Sequence, residues 1–298
     1  MNLYNFKNPN IYKQKNNYII IDEDEKYILQ TIEDVKRVNE ICQILKNKTN
    51  HNKIIRNKMG ENITKHNNKL YILVKEHKVS NSSYNNVIVE NNQNSSINYS
   101  DWIKLWERKI DYYDNIKTDD KLLTEANDYY IGLAEIAIQY CKKNVRKSKY
   151  LNICNTDFED MYNPLKVVLD CSEREIGEQI KYYFFYKDIN ELNVNQLIKN
   201  KDIDKIIARL LFPNYYFNLY EYHKEMKKKL IKIISLAEKY EKFIEKFIKE
   251  NKKCSYLSET TFFTSFTSGI SFIISSSIPS FKVISIISHS AQAPSNLT

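Results

Sequence analysis

The chain has 298 residues, enough for one large domain or two lobes, and its 42% hydrophobic and 13% aromatic content supplies a core. With 4 Gly and 5 Pro it is a poor candidate for a Gly-rich all-β protein, and five cysteines with no CxxC pair and no neighbouring His cluster argue against a zinc site. The net charge of +8 comes from 45 basic residues mixed with 37 acidic ones in a chain that also holds 35 Asn, so it reflects Lys- and Asn-rich usage, and nucleic acid is not a favoured partner.

The first ten residues are polar and carry no apolar signal-peptide core, and an odd number of thiols suits a reducing compartment. A soluble cytoplasmic protein is expected. Tyr18 to Ile21 reads as a strand, Asp22 to Glu25 as a polar turn and Lys26 to Ile32 as a second strand, together a hairpin. Glu33 to Lys46 follows with helical spacing, Val35, Val38, Ile41, Cys42 and Leu45 sharing a face. Lys53 to Ile55 and Leu70 to Val74 read as short strands. Residues 1–78 are therefore expected to form a small α+β N-lobe. The Asn- and Ser-rich stretch 79–100 reads as a low-complexity linker or insertion, and the lobe boundary is placed there.

Beyond it the pattern turns helical, giving a C-lobe over 101–253. Asp101 is a good N-cap for a helix over Trp102 to Tyr113, and a second helix runs from Leu122 to Cys141. Its Trp and Tyr stripes read as core rather than as a ligand box. Leu165 to Leu169 is a short apolar strand ending in Asp170, and Ser172 with Glu175 has capping-box spacing before another helix. The last helix is expected as one piece from about Tyr215 to Lys252. Met226, Leu230, Ile233, Ala237, Tyr240, Ile244 and Phe247 make a heptad seam along it, packed within its own bundle or, alternatively, in a homodimer through 226–247. Residues 254–298 hold 13 Ser and 5 Thr but only two charged residues, Glu259 and Lys282. That break points to a disordered tail or a shifted reading frame; Phe262 to Phe281 is too rich in Ser and Thr for a good membrane span, and a membrane is not an expected partner.

Three stretches carry a resemblance: Asp128 to Glu135, Asn163 to Lys181 (Asn-Pro-Leu-Lys-Val-Val-Leu-Asp, then Ser-Glu-Arg-Glu-Ile-Gly-Glu-Gln-Ile-Lys), and Ala208 to Tyr220, with the aromatic segment Trp102 to Trp106 beside them. The sequence resembles the CotS/YutH-type spore coat proteins, a family with a kinase-like fold related to aminoglycoside and choline phosphotransferases. The resemblance spans roughly residues 11 to 250 and is specific from 100 to 220. It implies an α+β kinase-like two-lobe fold, with a small strand-containing N-lobe and a mostly helical C-lobe, and a role in the spore coat.

Phosphoryl transfer needs a Gly-rich loop over the phosphates, a strand Lys, a catalytic Asp, and Asn and Asp ligands for magnesium. No Gly precedes Gly60, and the hairpin turn expected to hold the Gly-rich loop is acidic, Asp22 to Glu25. Gln30 stands where the strand Lys is expected, and Lys26 starts the strand and should face solvent. Asp157 is the candidate catalytic residue, with Asn163 and Asp170 as candidate metal ligands, but five residues separate Asp157 from Asn163 where the kinase pattern has four, and no His precedes Asp157. The alternative for Asp170 is a strand-end Asp capping the next helix. Arg174, Glu175 and Glu178 read as a structural ion network, and His223 shows no partner. The expectation is a non-catalytic scaffold acting by protein–protein contact, with other spore coat proteins as partners and no cofactor. The alternative is a small-molecule phosphotransferase with degenerate motifs, using ATP and magnesium.

Overall fold

The computed structural model describes residues 3–14, 17–46, 52–76, 88–156 and 163–252. The expected tail, 254–298, lies outside them. The described residues divide into two compact units, one within 1–100 and 148–172, the other within 101–147 and from 173 on.

The first unit opens with three antiparallel strands, β1 (Asn10–Gln14), β2 (Asn17–Asp22) and β3 (Glu25–Ile32), then helix α1 (Val35–Leu45). The strands β4 (Lys53–Ile55), β5 (Thr64–His66) and β6 (Lys69–Lys75) complete a sheet of order β1-β2-β3-β6-β4, with β5 also on β6. The two-residue alternation of a strand divides the sheet's side chains between its faces. Ile20 and Leu73 are buried on one face against Tyr4, with Leu3 and Phe6 of the leading segment. Ile72 and Val74 are buried on the other against Val38 of α1. Asp34 starts α1, accepting the Arg37 N–H at 2.8 Å.

The sequence places the first hairpin turn at Asp22 to Glu25. The structure has an earlier strand, β1, paired from Asn10↔Ile21 to Gln14↔Asn17, so the Asp22↔Glu25 turn closes the second hairpin. β1 was missed because all five of its side chains are exposed and leave no alternating apolar pattern.

The stretch expected as linker, 79–100, is divided. Residues 77–87 lie outside the described set. From Ile88 on, the chain is built into the unit: β7 (Ile88–Glu90) pairs with β8 (Tyr150–Asn155), which pairs with β9 (Val167–Asp170). Ile97 is fully buried with Ile41, Leu151, Ile153, Val167 and Leu169. Asn91, Asn98 and Ser100 bond one another, so side chains that look like low complexity satisfy an irregular backbone. Residues 148–172, assigned to the C-lobe from sequence, cluster with the first unit through these strand pairs.

The second unit contains α2 (Trp102–Asp114), α3 (Lys121–Asn144), α4 (Glu173–Tyr186), α5 (Val194–Ile198), α6 (Ile203–Leu211), α7 (Asn214–Tyr220), α8 (His223–Ser235) and α9 (Ala237–Asn251). Asp101 caps α2 and Asp120 caps α3. The aromatic stripes are core: Trp106 stacks on Phe212 at 4.4 Å, Tyr113 on Phe217 at 4.6 Å and Tyr130 on Tyr216 at 3.9 Å. The expected single helix from Tyr215 to Lys252 is three helices. No Pro or Gly interrupts it; tertiary contacts decide the breaks. Tyr216 donates to Leu123 O, whereas Tyr240 donates to Leu210 O at 2.9 Å, and one straight rod would have to serve both. Of the heptad seam, Leu230, Ile233, Tyr240, Ile244 and Phe247 are buried, Tyr240 against Phe184 and Phe185. His223 is not alone: its Nδ1 meets Tyr220 O at 3.1 Å.

The α4 charge run becomes a buried ion cluster around Glu178, which pairs with Lys181 and Arg209. Arg209 also lies over the Trp102 ring at 5.3 Å. Lys181 is 1% exposed and donates to Arg209 O at 2.7 Å, Phe212 O at 3.2 Å and Asn214 Oδ1, capping the C-terminal carbonyls of α6.

A separate buried acid, Glu241, accepts the Tyr129 hydroxyl. Burial raises its pKa from 4.5 to about 7, with Glu245 and Glu238 adding to the rise and Tyr129 opposing it. A raised folded pKa favours the protonated form, so the stability it contributes is full below 4.5 and lost as the pH rises through about 7. Glu241→Gln keeps the acceptor and removes the charge. At ~1.4 kcal/mol per pKa unit, it should raise stability at pH 8 by about 3 kcal/mol and change it little at pH 4. Urea unfolding at the two pH values is the check; an equal gain at both would place the effect elsewhere.

Candidate functional site

In the first unit, β3 leads into α1. A phosphotransferase of this plan uses a strand Lys paired to a Glu on the following helix. Lys26 stands at the start of β3 and is paired with Glu76 at 2.9 Å, its side chain 43% exposed. Gln30 lies deeper in the strand, opposite Ile72, and is buried. The only acid on α1 is Glu40. Its Oε2 accepts the Ser95 hydroxyl at 2.8 Å, the Ser96 N–H at 2.9 Å and the Ser96 hydroxyl at 3.0 Å. Burial would raise Glu40, but these donors outweigh it and hold the carboxyl below its ordinary pKa. The helix acid is thus an anchor for the 95–96 segment, with no lysine of β3 in reach of that role.

The acidic turn is also structural. Asp22 accepts main-chain N–H groups from Lys7 and Asn8, the latter at 2.8 Å. Glu23, at φ +56°, pairs with Lys7 at 3.0 Å, and Glu25 holds Lys75 and the Tyr27 hydroxyl. Burial, with the Glu25 bond next, pushes Tyr27 up to about 12. The turn is the second hairpin, so its acidity bears less directly on a phosphate loop than the sequence order suggests. Lys15 and Asn16, between β1 and β2 in sequence, are outside the described residues, and neither is Gly.

Of the three candidate site residues, Asp157 lies outside the described residues. Asn163 caps the short 3-10 turn Pro164–Lys166, its side-chain oxygen accepting the Leu165 N–H at 3.0 Å. Asp170 ends β9, is fully buried, and its Oδ1 accepts the Cys171 N–H at 2.8 Å. Both oxygens are of the hard type that suits magnesium, and both already serve the local backbone. Among the described residues no three His, Cys, Asp or Glu side chains are grouped to hold a metal ion. The segment between Asn163 and Asp170 is held by Arg37, which sequence reasoning missed. Its guanidinium donates to Val167 O at 2.9 Å, to Leu165 O at 3.4 Å and to Ser96 O at 3.5 Å, and lies 5.6 Å from the Tyr99 ring centroid. An Arg next to the apolar face of α1 was the only signal, and it reads equally as solvent-exposed.

An aminoglycoside phosphotransferase from Alicyclobacillus acidocaldarius subsp. acidocaldarius DSM 446 is 12% identical, with a TM-score of 0.52 over 83% of this chain and 93% of that one. An AMP-bound spectinomycin phosphotransferase is also 12% identical, with a TM-score of 0.46 over 82% and 91%. No curated protein sequence matches significantly. The fold is therefore the α+β, kinase-like one, and no helix among the described residues is long and apolar enough to cross a membrane. Residues 1–247 match the family described as "Spore coat putative kinase YutH", and the chain belongs to that family.

Proposed function

We propose that the protein is a non-catalytic, kinase-like scaffold of the spore coat that works by protein–protein contact. The observation that carries this reading is the missing Lys–Glu pair: Gln30 is buried in β3 in place of the Lys, and Glu40, the only acid on α1, is engaged instead by Ser95 and Ser96. Asn163 and Asp170 acting as backbone acceptors agree with it. Partners are expected to be other proteins, coat proteins among them. A homodimer through 226–247 is the weaker choice because most of that seam is buried in its own unit. The second reading, a phosphotransferase with degenerate motifs, draws on the fold and on a fully buried Asp at the end of β9.

Purified protein is expected to show no thermal shift with millimolar ATP and magnesium, since a ligand at 100 times its Kd would add about 2.7 kcal/mol. It should likewise transfer no labelled phosphate to aminoglycoside, choline or protein acceptors. Losing one charge-stabilising contact in an active site costs about 3 kcal/mol of barrier, and several are replaced here. Robust transfer that disappears in Asp170→Ala would establish the second reading instead.

A further inference from the structure

We infer that the first unit carries a binding site for a phosphoryl-bearing anion in the cavity between α1 and β4, apart from any kinase-type site. The cavity has a volume of about 520 Å³. Three cations line it, Lys46 at the end of α1, Lys53 on β4 and Arg56 just after it, with the amides of Asn39, Gln43 and Asn62. No Asp or Glu is among its described lining residues. Where a lysine elsewhere on the surface faces an acid the two pair, as Lys26, Lys75 and Lys142 do with Glu76, Glu25 and Glu107. Among the described residues none of the three lining cations has an ion pair.

A concave wall concentrates the field of like charges, and here the concentrated sign is positive. Arg presents a fork of N–H donors that matches phosphate oxygens, Lys adds a compact charge, and carboxamides complete a donor set for a tetrahedral anion. Arg56 shares the cavity wall with Cys42: burial raises that thiol, and the positive charge of Arg56 acts on it in the opposite direction. The volume exceeds that of a bare phosphate and suits a phosphoryl group with a substituent. The substituent can be a small molecule or a phosphorylated side chain, and the two share the recognition chemistry.

Cys42 gives a local readout. In a Cys254→Ser background the remaining thiols, Cys141, Cys154 and Cys171, are buried, and Cys42 is half-buried. Its labelling by a maleimide, read by peptide mass spectrometry, is followed with pyrophosphate, glucose 6-phosphate and a phosphoserine peptide, each at fixed ionic strength. Occupancy should slow labelling at least about fivefold, and the Lys53→Gln/Arg56→Gln pair should weaken the apparent affinity by about tenfold or more. Both side chains are exposed, so the pair should fold, with circular dichroism as the check. Strongest protection by either small phosphate or by the peptide supports the site and identifies its source. No protection by any of the three at millimolar concentration, or equal protection in the double variant, overturns the inference.

Discussion

Glu178→Ala is expected to cost about 4 kcal/mol of stability, the largest effect of any single substitution considered. Removing one member of a buried ion cluster leaves its partners charged and dry, at about 3–5 kcal/mol. Here the stranded groups are Arg209, 4% exposed in its side chain, and Lys181, 1% exposed. Arg209 already has its Nε without a partner, so it has little to fall back on. Asn214 would lose an acceptor as well. Burial alone would raise the Glu178 carboxyl, but Lys181, Arg209 and Arg174 outweigh it and hold it well below the usual carboxylate range. Burial at the same time pulls Lys181 down to about 7, against the pull of Glu178. The carboxylate's shift is the firmer of the two, because three cations act on it and because the Lys181 ammonium has several acceptors to satisfy.

The pH sign follows from the depressed carboxyl. The stability it contributes is present above the unfolded value of 4.5 and is lost as the pH falls toward the lower folded value. The difference between wild type and Glu178→Ala in urea unfolding should therefore be full at pH 7 and shrink progressively below pH 4.5. A loss under about 1 kcal/mol at pH 7 would mean that water reaches the cluster and that its members are not stranded by the substitution.

Gly177→Ala should lower stability by about 2 kcal/mol, although Ala is the better helix former by about 1 kcal/mol. Gly177 lies inside α4, and a Cβ built there would sit 2.7 Å from the Arg209 Cβ on α6. Arg209 cannot give way cheaply, because that carbon is next to its backbone and its guanidinium is fixed by Glu178 and Trp102. Widening the α4–α6 gap would also lengthen the bonds from Lys181 to Arg209 O and Phe212 O. In a chain of this size the melting temperature should fall by about 5 °C. A rise by the propensity difference would show that the helices separate freely.

Local rules made much of this chain legible. The β2–β3 hairpin, α1, α2 with its Asp101 cap, and the body of α3 follow from alternation, helical spacing and, at α2, N-cap chemistry, which act within a few residues. Gln30 and the off-spaced Asp157 and Asn163 were likewise visible as departures from a known pattern. Tertiary structure alone decided the rest. β1 has no buried face to announce it, and the Asn- and Ser-rich segment after Ile88 became ordered because Ile97 found a core and Glu40 found its serines. The heptad seam predicted one rod, but the contacts of Tyr216 and Tyr240 divided it. The Glu178 cluster joins residues 31 positions apart, so no sequence period reports it. Local propensity is set by neighbours along the chain, whereas burial and charge pairing are set by neighbours in space, and only folding establishes which residues those are.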